Sequence, residues 1–79
     1  MKAITYLEKL DSIKRVYDRT TEAVGTDEFL RGYFLGQMQG VSDMALEDNE
    51  ITPMEFDEIL GTKNEYAKVV EVKHEVESI

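Results

Sequence analysis

Along residues 3–24 the apolar side chains Ile4, Leu7, Leu10, Ile13, Tyr17 and Val24 recur at steps of mostly three and four, with charged residues between them. A period of 3.6 residues gathers such positions on one face, so the spacing predicts an amphipathic helix. Gly25 closes it, because glycine enters the left-handed conformation that ends many helices. Thr26 is then the expected N-cap of a second helix running from about Asp27 to about Asp48, with Asp27 and Glu28 in a first turn where the helix dipole favours negative charge. So short a connection makes the two helices antiparallel neighbours.

The third start is the clearest boundary. In "EITPMEF", Thr52 suits an N-cap, Pro53 suits the first helical position because its missing N–H is unpaired there in any residue, and Glu55 completes a capping box. Ile51 and Phe56 hold the positions of a hydrophobic staple. This predicts a helix over residues 53–60, closed by Gly61. The tail, "NEYAKVVEVKHEVESI", carries two patterns. Tyr66, Val69, Val70, Lys73 and Val76 fit a helical stripe, whereas Val70, Val72, His74 and Val76 alternate with charged residues as in a strand. A strand would need "KAITY" or another chain as its partner. The predicted architecture is a single mainly α domain over residues 1–79: a small antiparallel bundle of three helices whose C-terminal segment, 64–79, is helix or a short β-strand, with helix or mixed structure favoured.

The second helix holds an anomaly. In "RGYFLGQMQG", Gly32, Gly36 and Gly40 recur every four residues and form a stripe beside the apolar positions Leu30, Tyr33, Phe34, Met38, Val41 and Ala45. Each interior glycine costs a helix about 1 kcal/mol relative to alanine. Two arrangements would offset that: another helix of the same chain lying close against the stripe, or a partner helix or second copy docking there, by analogy with small-residue contacts in membranes.

At 79 residues the domain is near the size at which one core supplies only a few kcal/mol of net stability, so burial by a partner would matter. The chain has no cysteine, hence no disulfide, thiolate nucleophile or Cys-based zinc site, which fits a reducing compartment. "MKAITYLEKLD" offers no apolar secretion signal, and no apolar run approaches the roughly 20 residues needed to span a bilayer. A cytoplasmic, soluble protein is expected.

The net charge of -8 is concentrated in one half. Residues 1–40 hold six basic and six acidic side chains, and residues 41–79 hold three basic and eleven acidic. Asp43, Glu47, Asp48, Glu50, Glu55, Asp57 and Glu58 fall in one segment, 43–58, that has no Lys or Arg. Such a segment repels nucleic acid and anionic lipid and attracts basic surfaces.

Catalytic and metal motifs are weak throughout. Aligning Glu55 with the last ligand of an EF-hand loop places Asn49 where glycine is required and Met44 and Leu46 where the first oxygen ligands belong, so calcium is not expected. Glu71 and His74 have the spacing of a carboxylate-bridged di-metal helix, but that site needs the pair twice and this chain has one histidine. Ser12, Ser42 and Ser78 lack a recognisable base. No catalytic residue, cofactor or metal is assigned.

The segment "YFLGQMQGVSDMALEDNEITPMEFDEIL" resembles the helical hairpins of small phage and mobile-element proteins, in which a Gly-containing helix precedes a capped I-T-x-x-E or I-S-x-x-E helix. The resemblance covers about a third of the chain and implies a phage accessory protein. Acidic proteins of that kind include inhibitors that block a host nucleic-acid-binding complex by mimicking DNA charge, anti-CRISPR proteins among them. The expected function is that of a non-catalytic acidic inhibitor or adaptor whose seven acids meet a basic protein or complex. The alternative is a structural or regulatory homodimer that uses the stripe of Gly32, Gly36 and Gly40 or the valine-rich tail.

Overall fold

The computed structural model describes residues 2–77, so Met1, Ser78 and Ile79 lie outside the described residues. Three helices follow in order: α1 (Ala3–Val24), α2 (Glu28–Leu46) and α3 (Pro53–Glu77). Their contacts define an up–down–up bundle. Tyr6, near the start of α1, reaches Asp48 just beyond α2, and the Tyr17 and Phe34 rings meet edge to face at 5.3 Å. Arg31, near the start of α2, reaches Glu71 near the end of α3. Asp11 with Tyr66, and Thr21 with Lys73, then run in the same sense along α1 and α3, which are therefore parallel.

Gly25 takes φ 79°, a left-handed conformation that a side chain would disfavour, and its N–H donates to the Thr21 carbonyl at 2.9 Å to end α1 as expected. The cap of α2 is Asp27 rather than Thr26. Asp27 is extended, and its carboxylate accepts from the Leu30 N–H at 2.7 Å. Aspartate is the stronger cap, and it also places its charge at the positive end of the helix dipole.

The expected stop at Gly61 does not occur, and through Glu77 the tail takes the helical of its two expected forms, as a continuation of α3. α3 continues through Gly61 for 25 residues in all. Gly61 has no positive φ, and no proline follows to break the helix. Its penalty of about 1 kcal/mol is smaller than the roughly 1.5–3 kcal/mol contributed by each large apolar side chain buried on either side of it. Ile59 and Val70 are fully buried, and Tyr66 packs against the core.

The core is a row of Tyr6, Leu10 and Tyr17 from α1, Phe34, Met38, Val41 and Ala45 from α2, and Ile59 and Val70 from α3. The expected face of α1 holds in its middle, where Leu10 and Tyr17 are buried and Leu7 and Ile13 pack against the core; at its ends Ile4 and Val24 are exposed, and Tyr6 and Thr21 are buried in their place. The buried polar atoms are mostly matched. The Thr21 hydroxyl donates to the Tyr17 carbonyl at 2.9 Å and accepts from Lys73 Nζ at 2.6 Å, and Ser42 donates to the Gln39 carbonyl. The Tyr17 hydroxyl is buried without a partner among the described residues, and burial pushes its pKa up.

Candidate functional site

The seven acids nominated from the sequence lie at one end of the bundle, where α2 ends, the chain turns and α3 begins. The turn is built by short backbone bonds: Asp48 N–H to Ala45 O at 3.2 Å, Ile51 N–H to Asp48 O at 3.1 Å, and Phe56 N–H to Thr52 O at 2.9 Å. The capping box forms in both directions. Thr52 N–H donates to Glu55 Oε1 at 2.9 Å, and Glu55 N–H donates to Thr52 Oγ1 at 3.2 Å. Ile51 and Phe56 pack against the core, as a staple should.

This geometry divides the seven acids by what they do. Glu55 caps α3. Asp48 accepts the Tyr6 hydroxyl proton at 2.6 Å and the Glu50 N–H at 2.9 Å, tying the start of α1 to the turn. That hydrogen bond pushes the Tyr6 phenol up to about 12, with burial and the neighbouring Asp48 and Glu50 charges acting in the same direction. Asp43 accepts from Gln39 Nε2 at 2.9 Å, one turn earlier on α2. Glu50 is exposed on the turn. Glu47, Asp57 and Glu58 are exposed and have no partner among the described residues, so their charge faces solvent uncompensated. No Lys, Arg or His occurs anywhere from residue 32 to residue 62.

Among these charges lies an apolar dimple of about 260 Å³, lined by Ala45, Leu46, Ile51, Thr52, Pro53 and Phe56. Leu46 is 68 % exposed on its wall, and Met54 is 82 % exposed on the first turn of α3.

The glycine stripe sits elsewhere. A Cβ placed on Gly32, Gly36 or Gly40 would meet nothing within 4 Å, so among the described residues no helix lies against them and the intramolecular explanation fails. The reason is the helical period. With Phe34, Met38, Val41 and Ala45 turned into the core, the glycines point to the opposite side of α2. Phe29 is 74 % exposed beside them and stacks on Tyr33 at 6.1 Å between ring centroids.

The far end of the bundle carries the other polar cluster, one that the sequence did not disclose. Arg31 grips Glu71 with two hydrogen bonds, at 2.9 and 2.8 Å, and sits 3.5 Å from Glu28. His74 Nε2 lies 2.9 Å from the other Glu28 oxygen. Glu71 and His74, adjacent on α3 as their spacing implied, thus bind α2. Among the described residues no group of three or more His, Asp or Glu side chains is arranged to hold a metal ion, and no helix is long and apolar enough to cross a membrane.

Compared with protein-family models, curated proteins and solved structures, the chain matches none.

Proposed function

We propose that this protein is a non-catalytic binding domain whose acidic end engages a basic partner protein. The observation that carries this is the set of outward carboxylates Glu47, Asp57 and Glu58, unpaired among the described residues and set within 31 consecutive residues, 32 to 62, that contain no base. Clustered like charge lowers stability by self-repulsion and speeds encounter with an oppositely charged surface, so a basic partner would offset what the cluster costs. A partner that normally binds nucleic acid presents such a surface. The protein would then act by occupying it, as an inhibitor or adaptor of the anti-CRISPR-like, DNA-mimicking kind that the hairpin resemblance implies. The test is affinity capture from the native host at low ionic strength, followed by reversal of Glu47, Asp57 and Glu58 to lysine. Binding should fall steeply with salt and with the triple reversal. A partner held equally well at high salt by the reversed variant would refute the proposal.

Self-association is a second reading, favoured by one specific observation. Residues 32–42 contain no charged side chain, and the outward face of α2 offers Tyr33 and three glycines that none of the described residues covers, with exposed Phe29 beside them. Two copies packed antiparallel about Gly36 would set Gly32 against Gly40 and hold the two acidic ends far apart. The chain has no cysteine, so Gly36→Cys gives a clean probe. Spontaneous disulfide-linked dimers would support this face, and a monomeric mass with no cross-link would remove it.

A further inference from the structure

We infer that the apolar dimple at the acidic end receives one large apolar side chain from a basic segment of the partner. This deepens the proposed function and rests on it. The occupant is argued from the two chemistries that meet there. The lining is apolar: Ala45, Leu46, Ile51 and Phe56 supply hydrocarbon, and Pro53 has no N–H to offer. Thr52, the one polar residue of the wall, has its N–H and its hydroxyl oxygen engaged with Glu55. A polar small molecule would therefore find little to bind. The volume of about 260 Å³ exceeds the roughly 150 Å³ of an apolar cavity that holds benzene, so one Phe, Leu or Met side chain fits.

The dimple lies at the acidic end of the bundle: Glu47 follows Leu46 and Asp57 follows Phe56 in the chain, and both are exposed and without a partner among the described residues. A neutral apolar ligand would leave Glu47, Asp57 and Glu58 unanswered, and a purely basic peptide would leave Leu46 in water. A segment with Lys or Arg on both sides of an apolar residue answers both. Its aliphatic Lys and Arg stems would lie along Leu46 and Met54 while their charged heads meet the carboxylates. A central apolar anchor within a charged rim is the arrangement in which a few residues carry most of an interface's affinity.

Two peptides test this, acetyl-Lys-Arg-Ala-Phe-Ala-Arg-Lys-amide and the same peptide with Ala in place of Phe, titrated by calorimetry with amide shifts followed by NMR. The Phe peptide should bind about tenfold more tightly. Its largest shifts should fall on Ala45, Leu46, Ile51, Thr52 and Phe56. Leu46→Ala, which alters an exposed side chain and should leave the helical circular dichroism unchanged, should erase most of the preference. Neutralising Glu47, Asp57 and Glu58 to Gln should weaken both peptides alike. Equal binding of the two peptides, lost on neutralisation, would overturn the anchor and leave the electrostatic proposal standing. Absence of binding by either would overturn both. Shifts centred on Gly32 to Gly40, or a Leu46-dependent dimer in light scattering, would show another occupant or another face and also overturn the anchor.

Discussion

Replacing Gly32, Gly36 and Gly40 together by alanine should stabilise the isolated chain by an amount that can be worked from the geometry. All three lie inside α2, none has positive φ, and a methyl at any of them meets nothing within 4 Å. The substitution therefore introduces no clash and fills no cavity, leaving the backbone term of about 0.8–1 kcal/mol per site. The sum is about 2–3 kcal/mol, which for a domain of this size raises Tm by roughly 10–20 °C. Thermal unfolding followed by circular dichroism, at protein concentrations spanning about two decades, supplies the measurement. A monomer that gains this stability would show that the glycines serve nothing within the fold. A dimer whose concentration-dependent Tm falls on the same substitutions would place its interface on the stripe. A monomer destabilised by the alanines would refute the premise that this face of α2 is open.

Other perturbations follow from the same structure. Thr52→Ala should destabilise the domain by about 1 kcal/mol through loss of the cap, with faster hydrogen exchange over residues 53–60 and little change in α1. Arg31→Met should cost about 1 kcal/mol, since the bidentate pair with Glu71 is only half-buried, and a double-mutant cycle with Glu71→Gln should recover most of that as coupling. Tyr6 has a folded pKa raised to about 12 by its bond to Asp48, so its neutral form is favoured on folding. That contribution is complete below pH 10, the ordinary phenol value, and is lost as pH rises from 10 to 12. Stability should decline over that window, and Tyr6→Phe should flatten part of the slope, the rest belonging to Tyr17 and Tyr66, whose pKa values are also raised.

Local rules were read well from the sequence where the determinants are local. Gly25 and the Thr52–Glu55 box act within a few residues, and both behave as their chemistry dictates. Gly61 shows the limit of such rules. A glycine does not end a helix where packing on both sides holds the helix continuous through it, and the packing of Ile59 and Val70 is a property of the assembled bundle. The alternation of valines in the tail was likewise overruled: Val72 and Val76 face solvent from a helix, and Val70 alone is buried. The acidic end was legible as charge but not as architecture. Asp48 is committed to Tyr6, 42 residues away, and that partnership leaves no trace in sequence spacing. The same holds for Arg31 with Glu71, 40 residues apart. The glycine stripe was placed beside the core face, although its angular offset from Phe34, Met38 and Val41 puts it opposite.

The connections between the helices, residues 25–27 and 47–52, also set how quickly the molecule can form. Closing either loop takes on the order of 10–100 ns, and each closure brings neighbouring helices together before any distant part of the chain is needed. The contacts with large sequence separation, Tyr6 with Asp48, Arg31 with Glu71 and the meeting of α1 with α3, follow once each hairpin has begun to close. The bundle should therefore assemble in microseconds to milliseconds, as chains dominated by short-range contacts do. A bundle of this kind folds soon after its three helices have emerged from the ribosome, with little time spent exposing Leu10, Phe34 or Met38 to other chains.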